Sequence, residues 1–171
     1  QLPWPEATLS EMSAPALPPG DELPTVRAIA ETSPFPITRA LAALVRLRLD
    51  DWEAHDEAVD AFQSGDAAFR AEAALVLTGW RVLSAVGRPR NDAREVYDEL
   101  QRSPFKPEAA VRMGLLGGEA DPGLLRDALA SPDLETAFGA ALVLGDVDRL
   151  RAALEGGELE RSAAGRRLVE L

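Results

Sequence analysis

The chain repeats itself. Residues 60–77 read DAFQSGDAAFRAEAALVL and residues 127–144 read DALASPDLETAFGAALVL. Aligned without a gap, 9 of the 18 positions are identical. They include Ser64 and Ser131, Asp66 and Asp133, and the ending AALVL at 73–77 and 140–144. AALV occurs a third time at 42–45. Repetition of this kind is the mark of stacked supersecondary units, none of which buries its apolar face alone.

Turn signals divide the chain between these copies. Ser33-Pro34, Ser64-Gly65, Ser103-Pro104, Ser131-Pro132 and Gly156-Gly157 begin 31, 39, 28 and 25 residues apart. Ser accepts from nearby backbone amides, Pro presets φ and Gly allows left-handed dihedrals. Between the turns the sequence is rich in Ala and Leu, which lose little on entering a helix. The expectation is an all-α chain of helix-turn-helix units at about 25–49, 50–91, 92–120, 121–146 and 147–171. Residues 1–23 differ. Pro3, Pro5, Pro15, Pro18 and Pro19 fall there, and proline removes amide donors and fixes φ. That stretch reads as an extended arm or linker, with 24–171 as the repeat domain.

Helical spacing assigns the inward faces. Val26, Ile29 and Ala30 should face inward in the first unit, followed by Leu41, Leu44, Val45 and Leu49, with Arg39, Arg46 and Arg48 toward water. In the second unit Phe69, Ala73, Val76 and Trp80 step by 4, 3 and 4, so one continuous helix is expected to carry all four. Asp121 should cap a helix with Pro122 at its first position. Leu150, Leu154, Ala164, Leu168 and Leu171 should close the last unit.

The pattern of a Ser/Asp-marked turn, an Ala-rich helix ending in Leu-x-Leu-Gly and an Asp-led helix resembles the HEAT-like repeat, in particular the short bacterial form named after phycobilin lyases. Residues 135–154, ETAFGAALVLGDVDRLRAAL, carry it best. It covers most of 25–171 and is strongest from about 100 onward. The resemblance implies an α-solenoid of about five repeats. It also implies a concave surface toward which Arg94, Asp98, Arg126, Asp127 and Arg149 point. Many members are scaffolds for partner proteins. Others assist bilin attachment or are enzymes, some of them DNA glycosylases.

Charge and chemistry narrow the function. The formal net charge is −11, which opposes phosphate backbones and anionic membranes and favours a basic partner. There is no cysteine and a single histidine, His55. Thiolate chemistry and multi-histidine metal sites are therefore excluded. No nucleophile elbow or glycine-rich phosphate loop is present, so no catalytic, cofactor or metal residue is assigned. No apolar run approaches the ~20 residues of a membrane span. Glu53, Asp56, Glu57 and Asp60 share one helix side and read as a solvated face. Arg81, Arg88, Arg90 and Arg94 form a basic patch. Trp52 and Trp80 are the candidate anchors, since aromatics dominate interface energy. The expectation is a non-enzymatic scaffold that binds another protein. The alternative is a lyase-like or glycosylase-like enzyme or accessory. A cytoplasmic location is the expectation from cysteine usage, and a start at Gln1 fits either a processed chain or an excised fragment.

Overall fold

The computed structural model describes residues 22–65, 67–87 and 93–171, apart from the side chains of Ala68 and Ala93. The expected arm at 1–21 lies outside the described residues. Glu22 and Leu23, assigned to the arm, instead open the first helix.

Among the described residues there are eleven α-helices, one 3-10 turn and no strand. The helices are α1 (Glu22–Thr32), α2 (Pro36–Arg48), α3 (His55–Ser64), α4 (Ala67–Leu77), α5 (Trp80–Ala85) and α6 (Ala93–Arg102). Then come α7 (Lys106–Leu115), α8 (Pro122–Leu129), α9 (Leu134–Leu144), α10 (Val147–Ala153) and α11 (Glu158–Glu170). The 3-10 turn, Trp52–Ala54, leads into α3.

The turn chemistry recurs at three of the four Ser turns, while Ser64 instead donates to the Asp60 carbonyl at 2.7 Å. Ser33, Ser103 and Ser131 each accept, through Oγ, the backbone N–H two residues on, at 3.3, 3.1 and 3.2 Å. Asp121, Asp133 and Asp146 cap α8, α9 and α10, accepting from Gly123 and Leu124, from Thr136 and from Arg149. Each such cap satisfies amides that have no partner inside the helix. Gly145 ends α9 at φ 70°, a left-handed turn for which glycine carries no Cβ penalty.

Packing follows chain order. α1 packs on α2, α3 on α4, α6 on α7, α8 on α9 and α10 on α11. The helices α2, α4, α7, α9 and α11 also touch in succession. Each of these five carries adjacent alanines in its interior: Ala42-Ala43, Ala73-Ala74, Ala109-Ala110, Ala140-Ala141 and Ala163-Ala164, all buried. A methyl side chain lets neighbouring backbones approach closely, and Leu47, Leu77, Leu100, Val111, Leu125 and Leu150 fill the seams beside them.

The structure departs from the expected faces at one helix boundary, at Arg46 and at six apolar residues. The helix expected to run through Trp80 stops at Leu77. Thr78 turns its hydroxyl back onto the Ala74 carbonyl at 2.6 Å. At Gly79 the carboxylate of Glu135 fills the space where a Cβ would stand. Trp80 is buried, but as the first residue of the separate helix α5. Arg46 is buried rather than turned to water. Ile29, Leu41, Val45 and Leu49 are exposed rather than inward. At the C-terminal end Leu154 and Leu171 are exposed too.

Arg46 is buried because it has partners. Asp51, with a side chain 1% exposed, accepts Nε and Nη2 of Arg27 at 2.9 Å each and Nε of Arg46 at 2.8 Å. Arg46 also donates to Glu57 at 3.0 Å, so Glu57 joins this cluster instead of forming a free acidic face. The Arg27 hydrogen bond, with that from Arg46, lowers the Asp51 pKa from 3.8 to about 2. A carboxylate lowered in this way adds stability above its unfolded pKa and loses it as pH falls through the folded value. The loss therefore runs from pH 3.8 down to about 2. Asp51→Ala should cost about 3 kcal/mol in urea unfolding at pH 7, because it takes the shared carboxylate from Arg27 and from the buried Nε of Arg46. Its stability should also fall less steeply than that of the parent between those pH values.

Gly139 gives a test of close packing. A Cβ there would stand 2.7 Å from Cγ1 of Val111, which is fully buried. Gly139→Ala raises helix propensity by ~1 kcal/mol, yet the crowding should outweigh it and leave a net loss of about 1–2 kcal/mol in urea unfolding.

Candidate functional site

The short helix α5 shapes the site. It is joined to α4 by Thr78 and Gly79 and packs against α9 and α11, far along the chain. Two side chains hold it there. The Trp80 ring meets Phe138 of α9 edge to face, with centroids 4.7 Å apart. Such pairs are worth ~0.5–1.5 kcal/mol beyond area burial. Arg81 donates to both carboxylate oxygens of Asp50 and to Glu160 Oε1 of α11 at 2.6 Å. Asp50 itself sits at φ 62°, a strained value for a residue with a Cβ. The Asp50 hydrogen bonds, with Glu160, raise the Arg81 pKa above its ordinary value despite partial burial.

Of the cavities that border this junction, two hold the charged and aromatic groups of interest. The first, about 420 Å³, lies between α2, α4, α5, α7 and α9, with Arg48, Arg81, Arg112 and Glu135 on its walls. The second, about 450 Å³, lies beside α5, α9, α10 and α11 and is mostly apolar. Trp80, Leu134, Phe138 and Ala141 form its body, and Arg81, Arg149, Glu135 and Glu160 its rim. Leu134 is 84% exposed. Trp80 Nε1 is buried with no hydrogen-bond partner among the described residues.

The structure brings together three of the residues singled out in the sequence: Trp80, Arg81 and Arg149 all border the second cavity. Arg149 is exposed, with Nη1 donating to the Leu129 carbonyl at 3.0 Å. Trp52 is half-buried against the core from the 3-10 turn. Arg94 and Asp98 lie on α6 and Arg126 and Asp127 on α8, and none of these four borders either cavity. Arg88 and Arg90 lie outside the described residues, so of the proposed basic patch Arg81 and Arg94 remain. Arg81 is committed to Asp50 and Glu160.

Sequence reading missed Leu134, Glu135, Phe138 and Arg112. One signal was available: Leu134 is an apolar residue at the first position of a helix, directly after the capping Asp133. His55 is half-buried, with Nδ1 3.6 Å from Asp56. Among the described residues no group of three His, Cys, Asp or Glu side chains is placed to hold a metal ion, and no helix is long and apolar enough to cross a membrane. Comparison of the chain with family models, curated proteins and solved structures gives no match.

Arg81→Met tests what holds α5 in place. It should lower stability by about 1 kcal/mol, since the pairs it breaks are only partly shielded from water. In hydrogen exchange, amides of α5 and the first turn of α11 should open about five-fold more often, while α8 stays unchanged.

Proposed function

We propose that the chain is an α-solenoid of about five HEAT-like helix pairs and serves as a non-enzymatic scaffold that docks a basic partner protein over the cavity between α5, α9, α10 and α11. The order of helix contacts supports the repeat reading: each pair packs on the next, and α2, α4, α7, α9 and α11 form an unbroken series. The docking reading rests on one observation. Leu134 stands 84% exposed at the edge of an apolar cavity whose body is the Trp80–Phe138 pair.

An aromatic and aliphatic centre inside a rim of mixed charge is the anatomy of a protein interface. Here the rim is Arg81, Arg149, Glu135 and Glu160. Such a site suits a segment that presents one large apolar side chain flanked by polar groups. The net charge of −11 would speed encounter with a basic surface and make that encounter sensitive to salt. The proposed contact differs from the face expected from the resemblance. It uses Arg149 but not Arg94, Asp98 or Arg126.

A photo-crosslinking residue at Leu134 tests this. One partner should be captured at that position and not from a crosslinker at the exposed Val169. Leu134→Asp should weaken its binding about ten-fold or more with an unchanged helical signal. Equal capture at both positions, or undiminished binding by Leu134→Asp, would remove the reading.

A further inference from the structure

The first cavity carries a separate inference, independent of protein docking. Its key group is Arg112 of α7, 5% exposed. Nε donates to the Leu75 carbonyl at 3.1 Å. The nearest carboxylate, Glu135 Oε1, stands 3.9 Å from Nη2, beyond hydrogen-bond reach. Nη1 is buried with no partner among the described residues. A guanidinium does not shed its charge as a lysine can, so a buried one this poorly matched is costly. Burial pushes its pKa down, against the pull of Glu135 and Asp133.

What would complete Arg112 follows from the cavity walls. About 420 Å³ is far more than the ~30 Å³ that one water occupies. Leu47, Leu75, Val76 and Val82 are among its lining residues, which suits an apolar body. The other two cationic groups there are taken, Arg48 by Glu72 and Arg81 by Asp50 and Glu160. Of the three, Arg112 alone has a buried donor without a partner, and its Nη2 stops short of Glu135. Glu108, Asp133 and Glu135 also border the space, and three carboxylates would repel a dianion such as phosphate. A single planar carboxylate matches a guanidinium edge and adds the least charge.

We propose that this cavity binds a monocarboxylate with an apolar body, its carboxylate seated on Arg112. Benzoate is the probe, titrated calorimetrically into the full chain. Saturable binding of one benzoate is expected, with a Kd below about 1 mM. Benzyl alcohol, of the same shape without the charge, should bind at least about ten-fold more weakly. Arg112→Met should weaken benzoate about ten-fold or more, and Arg149→Met, at the other cavity, should not. Because Arg112→Met also alters packing, Glu108→Gln is the second variant. It removes a repelling carboxylate and should tighten benzoate about three-fold. Absence of saturable benzoate binding, equal affinity in Arg112→Met, weakening by Glu108→Gln, or displacement by inorganic phosphate would each overturn the proposal. So would a benzoate-soaked crystal structure showing only an ordered water on Nη1.

Discussion

The distance at which neighbouring helices meet is set by methyl groups. Five helices in succession, α2, α4, α7, α9 and α11, each bury two adjacent alanines. A larger side chain there would push neighbouring backbones apart, and the branched residues that fill the seams would lose their contacts. The rest of the architecture depends on that spacing. Val111 can sit against Gly139, and the partner helices α3, α8 and α10 bury their own Ala58, Ala128 and Leu150. Leu and Val fill the seams, while alanine decides how close the helices come.

Polar groups then do what methyl groups cannot, which is to connect parts of the chain remote in sequence. Asp51 gathers Arg27 and Arg46 at the junction of α1, α2 and the 3-10 turn. Arg81 connects Asp50, 31 residues before it, to Glu160, 79 residues after it. Helix α5 is brought to α9 and α11 by that pair and by Trp80. Both cavities exist because α5 departs from the line of α4. The departure traces to Thr78 and Gly79, where a back-bonded hydroxyl and an absent Cβ interrupt an otherwise helical pattern. The break between α4 and α5 thus shapes both cavities.

The helices themselves were largely legible in the sequence. The Ser turns, the Asp121 cap and the AALVL phrases are local signals, and local signals survive folding. The alanine pairs of α7 and α11 follow the same rule but lie outside the repeated phrase. What the sequence hid is long-range. Arg46 reads as a surface residue until Asp51 and Arg27 are known to converge on it. Arg112 reads the same way, since nothing near it in sequence announces the Leu75 carbonyl. Periodicity points Ile29, Leu41 and Val45 inward, yet all three are exposed. Periodicity tells that a helix has an apolar face, not which side the next helix covers. The cavity at Trp80 needed α9 and α11 to be brought to it, which no spacing rule supplies.

The most direct test of this account is a set of alanine-to-leucine changes measured by urea unfolding. Ala43, Ala74, Ala110, Ala141 and Ala164, each at most 1% exposed, are to be changed one at a time, with the exposed Ala28 of α1 as control. If alanine sets the approach of successive helices, each of the five should lose about 1–3 kcal/mol, and Ala28→Leu should stay within about 0.5 kcal/mol of the parent. If the five variants are as stable as the control, the helices do not meet through these methyl groups, and the stacking described here is wrong.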